Sequence, residues 1–249
     1  MIRILFLIAV AALLLNSCVE DNEKDLFPRP VLSDSAFQGL LGWYSLDSGL
    51  LDITGRLDPL YPFGNPEWIA GYNGLDSAAL SLDGVDDYLR VLIGHHDSLA
   101  ISMWILPFPS LRHSMLFDYG AGSFAAGLDA ITTATMPRYR LFMKQDTAVH
   151  YFEDEYDFFY WTYLYIELGD TLLPPRLYIN GYAPLADTIS WTMRPLIDIL
   201  YLGRQYNPYE MDSTMFRGYI DDIRIFNQFL TEEEILSIYW DGLSKKRSR

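Results

Sequence analysis

The sequence predicts an all-β protein: two antiparallel sheets packed face to face, with one short C-terminal helix. Three observations predict it. First, short apolar runs rich in β-branched and aromatic residues alternate with Gly, Pro, Asn and Asp from residue 40 to about residue 229. Second, two of those runs have a period of two. Ile101, Met103 and Ile105 interleave with Ser102 and Trp104, and Ile220, Asp222 and Arg224 interleave with Asp221, Ile223 and Ile225. Third, Thr231-Glu232-Glu233-Glu234 is a capping box, followed by an apolar stripe at Ile235, Ile238 and Tyr239. The chain has 249 residues, enough for a sizeable core.

Taken in order, residues 1–17 read as a secretory leader. Arg3 supplies the charged start, and Ile4 to Leu15 form an apolar run too short for a membrane span of roughly 20 residues. Residues 18–38 read as an extended tether, with the acidic run Val19-Glu20-Asp21-Asn22-Glu23-Lys24-Asp25 and then Pro28, Pro30, Ser33 and Asp34. Residues 39–243 form one domain. Its expected strands are 40–46, 78–82, 88–92, 99–106, 115–119, 124–128, 139–144, 160–168, 177–179, 199–202 and 216–226. Turn residues separate them, among them Gly84-Val85-Asp86-Asp87, Pro174-Pro175 and Asn180-Gly181. Asn180-Gly181 is expected to form a type I′ turn, because both central positions need φ > 0. The helix is expected to start at Thr231 and to end at Gly242, and 244–249 form a basic tail. Trp104 is expected to pack between the sheets, and Gly218 to relieve crowding beside a bulky neighbour.

Several motifs carry a family resemblance. Leu15-Asn16-Ser17-Cys18 resembles the bacterial lipobox, which implies that Cys18 becomes the lipidated first residue of the mature protein. It is the only cysteine in the chain, so no intramolecular disulfide or cysteine-based zinc cluster can form. The acidic run after it resembles an export tag of Gram-negative surface lipoproteins. That likeness implies an outer-membrane protein displayed on the cell surface, or else one facing the periplasm. Leu80-Ser81-Leu82-Asp83-Gly84-Val85-Asp86-Asp87-Tyr88-Leu89, Ile101-Ser102-Met103-Trp104-Ile105 and Leu177-Tyr178-Ile179-Asn180-Gly181 resemble successive segments of LamG-like domains. So do Phe216-Arg217-Gly218-Tyr219-Ile220-Asp221-Asp222-Ile223-Arg224-Ile225-Phe226 and the Leu230-Thr231 to Glu234-Ile235 segment. In this order the motifs run over residues 39–242 and imply the concanavalin A-like jelly-roll β-sandwich.

The resemblance also implies chemistry. Family members often hold one structural Ca²⁺ between a carboxylate near the first strand, one in the Ile-Asp-Asp strand, and carbonyls. Here Asp52 and Gly55 occupy the first position, and Asp221 or Asp222 the second. Hard cations take six to eight oxygens, so two Asp plus carbonyls is a reasonable set. The alternative is that Asp52 caps a turn and Asp221 pairs with a base such as Arg224. The superfamily includes glucanases, and Glu153-Asp154-Glu155-Tyr156-Asp157 alternates acids about 6–7 Å apart if extended. The stretch is very polar and reads as a solvated loop. His95-His96-Asp97 reads as a surface loop, and no nucleophile elbow or phosphate loop occurs.

Trp68, Tyr151, Tyr156, Tyr206 and Tyr209 are candidate ligand contacts, since sugar rings stack on such side chains. The function expected is a non-catalytic, membrane-tethered extracytoplasmic module that binds a glycan or a cell-surface protein through loop residues. The alternative is a structural or protein-interaction subunit of an outer-membrane assembly; a glycoside hydrolase is the less favoured third reading. Charge excludes nucleic acid, since 18 Lys+Arg face 33 Asp+Glu for a net −15. Residues 39–243 alone hold 11 bases and 28 acids, which predicts cation binding and neutral rather than anionic ligands.

Overall fold

The computed structural model describes residues 34–47, 49–108, 114–131, 138–145, 148–169, 176–182, 195–206 and 215–247. The chain divides into two units, Met1–Pro30 and Val31–Arg249, and every described residue belongs to the second. The leader, Cys18, the acidic run and Tyr209 lie outside the described residues.

In chain order the elements are α1 (Asp34–Gly39), β1 (Leu40–Tyr44), β2 (Tyr61–Phe63), β3 (Glu67–Ile69), β4 (Ala79–Asp83), β5 (Tyr88–Leu92), β6 (Leu99–Pro107), β7 (Ser114–Tyr119), β8 (Phe124–Ala130), β9 (Tyr139–Gln145), β10 (Ala148–Tyr156), β11 (Thr162–Leu168), β12 (Leu177–Ile179), β13 (Ile199–Leu202), β14 (Arg217–Phe226) and α2 (Glu232–Arg247). They form two seven-stranded antiparallel sheets. The first runs β12-β11-β6-β14-β4-β3, with β1 also on β14; the second runs β10-β9-β8-β7-β13-β5-β2. The core lies between them. It takes Ile101, Met103 and Ile105 from β6, Leu89 and Val91 from β5, Phe117 from β7, and Ile223 and Ile225 from β14.

Three strands go beyond the eleven expected. β2 and β3 are three residues long and lie at sheet edges, and β2 contains Pro62. Such pieces are too short to show a period, and proline is tolerated on edges. β10 holds the acid run that reads as a loop in the sequence. It is the far edge of the second sheet, where charge discourages further pairing, and its Glu155 lies opposite Arg140 of β9. α1 is a short helix within the segment expected to be extended, and its Ala36 is buried.

Trp104 is buried, but on the other face of the first sheet. Met103 and Ile105 point into the sandwich, so Trp104 between them points out. There it stacks on Tyr72 at 4.3 Å and lies beside Tyr163 and Tyr239 under α2. The helix also corrects the reading of Gly242, which lies inside α2 rather than ending it. A Cβ there would come within 3.1 Å of the Trp104 ring, so the glycine lets the helix approach the sheet. The capping box forms as expected: the Thr231 N–H donates to Glu234 Oε2 at 2.8 Å and the Glu234 N–H to Thr231 Oγ1 at 3.3 Å.

β14 changes partner along its length. Arg217 to Ile220 pair with β4, and Ile223 to Phe226 pair with β1. Between them the register against β6 shifts at Asp221 and Asp222, and Asp222 has φ 44°. Gly218 sits against β6, where a Cβ would meet the Leu106 carbonyl oxygen at 2.6 Å. Asn180 and Gly181 have φ 53° and 80°, with paired bonds between Ile179 and Tyr182, as a type I′ turn requires.

Candidate functional site

The face of the second sheet that looks away from the core carries aromatic and arginine side chains. On β5, Leu89 and Val91 enter the core, so Tyr88 and Arg90 project outward. The ladder extends the row sideways. Phe63 lies opposite Tyr88, Tyr61 opposite Arg90, and Arg90 opposite Tyr201 of β13. The Phe63 and Tyr88 rings stack at 4.5 Å and 1°. The Arg90 guanidinium lies over Phe63 at 4.7 Å and over Tyr61 at 5.6 Å, and that of Arg204 over Tyr88 at 4.8 Å. Tyr206 tilts against Tyr201 at 5.4 Å. Tyr61 is 62% exposed, so most of its ring is open to solvent.

This strip runs into an acidic cleft. Phe63 is followed by Gly64 and Asn65, and Tyr88 is preceded by Asp86 and Asp87. These residues, with Glu67, Ser81 and Asp83, line a cleft of about 550 Å³. Two of its acids shape the β4–β5 turn. Asp83 Oδ1 accepts the Val85 N–H at 2.7 Å, and Asp87 accepts the N–H groups of Asn65 and Asp83. Burial pushes the Asp87 carboxyl above its ordinary range, against those N–H groups. Asp83, Asp86 and Asp87 bring carboxylate oxygens within 4.8 Å of one another.

Asp118 of β7 continues the row beyond Tyr201. It is fully buried and accepts the Gly122 N–H at 2.8 Å and the Tyr206 N–H at 3.2 Å, so it holds Tyr206 in place. Burial raises its carboxyl to about 7, despite those two bonds and the charge of Lys144.

The expected calcium residues separate. Asp52 is saturated by its own turn together with strand β1. It accepts the N–H groups of Trp43, Thr54, Arg56 and Leu57 and the Thr54 hydroxyl. Burial works against its charge, but these donors outweigh it and hold the carboxyl below its ordinary range. Gly55 takes φ 67° in the same turn. Asp222, rather than Asp221, makes the ion pair with Arg224, at 2.9 Å, and also accepts the Trp43 indole N–H. Asp221 faces a different neighbourhood. It accepts the N–H groups of Tyr72 and Asp222, and its Oδ2 and the Asn73 amide oxygen both flank Gly71. Asn73 in turn donates to Asp47. Burial, then Asp222, raise the Asp221 carboxyl to about 8, with Asp47 adding to the effect.

The aromatic candidates lie in separate places. Trp68 is on edge strand β3 of the first sheet, 40% exposed. Tyr151 is on β10, at the opposite end of the second sheet from β2, with its hydroxyl on Asp129. Tyr156 stacks on Phe158 against the core. Among the described candidates, only Tyr206 joins the strip. The side chains of Glu153 and Asp154 lie outside the described residues, and Glu155 pairs with Arg138 at 2.9 Å. His95 lies within 4 Å of Asp97 and Asp198, and His96 bonds the Ile93 carbonyl, as a surface loop allows.

Sequence reasoning missed Tyr61, Phe63, Arg90, Tyr201 and Arg204. The only local signal was the alternation Tyr61-x-Phe63 and Tyr88-x-Arg90, which places two such side chains on one strand face. Their meeting depends on strands β2, β5 and β13, which are distant in sequence.

A family model described as the concanavalin A-like lectin/glucanases superfamily matches residues 83–236. Domain 4 of AbnA, a GH43 extracellular arabinanase from Geobacillus stearothermophilus, in complex with arabinotriose, is similar with a TM-score of 0.63. The two are 20% identical over 80% of this chain and 98% of that one. The binding domain of botulinum neurotoxin serotype D/C is similar with a TM-score of 0.58 and 15% identity, over 82% of this chain and 52% of that one. A binding domain of botulinum neurotoxin DC in complex with rat synaptotagmin II has a TM-score of 0.58 and 14% identity, over 83% and 52%. This chain spans about half the length of those neurotoxin domains. At such identities the likeness shows the fold alone. No curated protein matches the chain.

Proposed function

The chain belongs to the concanavalin A-like lectin/glucanase superfamily, and from that premise we propose that it is a non-catalytic carbohydrate-binding module. It works outside the cytoplasm, held to the outer membrane by a lipid on Cys18 and displayed at the surface. The lipobox-like run before the only cysteine supports the anchor. The ligand surface is the outer face of the second sheet. The observation that carries the reading is the open Tyr61 ring beside a cleft of carboxylates. A sugar's C–H face packs on such rings, and its hydroxyls donate to carboxylate oxygens. The ion pairs of Glu155 with Arg138 and Arg140 support a non-catalytic role for that acid.

The test is retention of the full-length protein, in detergent, on immobilised polysaccharides. Tyr61→Ala and Asp86→Asn are each expected to weaken retention about tenfold, the scale of one ring or charged hydrogen-bond contact. No retention on any polysaccharide, with a stoichiometric protein co-purifying instead, would favour an assembly subunit. Leu92, exposed on the same face, supports that second reading.

We also propose one structural Ca²⁺. Asp221 and Asp47 would hold it, with the Asn73 amide oxygen alongside; Asp52 would not, since its own turn uses both its oxygens. A bound cation would supply the positive charge that the buried Asp221 carboxylate lacks. The raised Asp221 carboxyl supports this reading.

A further inference from the structure

We propose that the strip on the second sheet selects sugars bearing a carboxylate, such as hexuronates, with Arg90 and Arg204 receiving the charge. The inference rests on the carbohydrate-binding reading and deepens it. It departs from the neutral ligand that net charge predicts, because net charge averages over a surface and this site is local.

Four other arginines of this acid-rich domain find carboxylates: Arg138 and Arg140 pair with Glu155, Arg176 with Glu167, and Arg224 with Asp222, while Arg56 is spent on the Phe37 and Leu40 carbonyls. Arg90 and Arg204 have no carboxylate partner among the described residues, although Asp83, Asp86 and Glu67 lie in the adjoining cleft. Arg204 spends one donor, its Nε on the Gln205 carbonyl at 3.3 Å. A guanidinium has five N–H donors in a planar fork that matches a carboxylate in two-point contact. Most of those donors here have no acceptor among the described residues.

The rings explain why the arginines stay in place. Aromatic faces attract a guanidinium without using its in-plane donors. Phe63 and Tyr61 hold Arg90, and Tyr88 holds Arg204. The two flank one stack, since the Phe63 ring under Arg90 lies parallel to the Tyr88 ring under Arg204, 4.5 Å away. The site is therefore bipolar. Hydroxyls of a sugar would donate into the acidic cleft while its carboxylate meets the two guanidiniums. A neutral sugar would leave those charges unmet, and an aliphatic carboxylate would leave the cleft and the rings unused.

The experiment uses the full-length protein on a panel of neutral oligosaccharides, uronate-bearing oligosaccharides, and the methyl esters of the latter. Esterification removes the charge and keeps the ring. The proposal expects the acids to be held at least about tenfold more tightly than their esters, one charged hydrogen-bond contact or more. Arg90→Gln and Arg204→Gln are each expected to abolish that preference, with unchanged thermal melting showing that both variants fold. Equal binding of acids, esters and neutral sugars, or variants that keep the preference, would overturn this proposal and leave the carbohydrate-binding reading standing. Failure to bind any sugar would overturn both.

Discussion

Asp118 is the residue whose environment departs furthest from what its type suggests on the strip face. Its carboxyl, raised to about 7 by burial, keeps its proton where the unfolded chain, near 3.8, has lost it. The folded form therefore binds more protons between about pH 4 and 7, and stability falls as pH rises through that window. Urea denaturation of wild type and Asp118→Asn across pH 4 to 7.5 is expected to show that slope in the wild type only. Parallel slopes would remove Asp118 as its source. Gly218 is decided by backbone instead. It combines φ 151° with a Leu106 carbonyl 2.6 Å from where a Cβ would sit. Gly218→Ala is expected to cost more than about 2 kcal/mol, read as a lower urea midpoint at unchanged slope.

Among the elements, α2 shows how a short amphipathic segment acquires its value. Its capping box and apolar stripe are local and were legible in the sequence. Its partner was not: Ile235 and Ile238 bury against Trp104, Tyr163 and Tyr165, on the face of the first sheet opposite the sandwich core. Trp104 is thus the centre of a second core. Trp104→Ala is expected to destabilise the protein by about 3–5 kcal/mol, and limited proteolysis should then cut first near α2. Cleavage spread evenly over the domain would argue that the helix does not depend on this ring. β14 makes the complementary point. Its Ile-Asp-Asp motif reads as one alternating strand, but a bulge at Asp221 and Asp222 switches its partner from β4 to β1 and turns both acids into buried groups with different neighbours.

At the scale of the whole molecule, a chain with a large excess of acid meets two distinct electrostatic problems. One is the buried carboxylate of Asp221, beside Asp47 and Asn73. If Ca²⁺ answers it, millimolar Ca²⁺ is expected to raise the melting temperature by several degrees over an EDTA-treated sample, and Asp221→Asn to abolish the response. A melting temperature indifferent to EDTA and Ca²⁺ would remove the ion. The other is the pair of arginines on the strip, which sit over rings in a surface otherwise rich in carboxylates. The two features involve different sheets.

The sequence by itself determined the fold class, the period-two strands, the Asn180-Gly181 turn and the capped helix. Each of these depends on residues close together in the chain: backbone preference, alternation and capping are local. The face of Trp104 is misread from sequence: the ring is expected between the sheets, although its alternation with Met103 and Ile105 sets it on the opposite side of the strand from them. Only the tertiary structure decided which acids are spent and which are spare. Asp52 reads like a ligand until its turn supplies four donors and β1 a fifth, and Asp47 and Asn73 carry no motif at all. The strip was hidden for the same reason. Tyr61, Tyr88 and Tyr201 become neighbours through antiparallel pairing of β5 with both β2 and β13, which sets Arg90 opposite Tyr201, 111 positions away, and register, unlike alternation, is set by contacts that no local stretch of sequence contains.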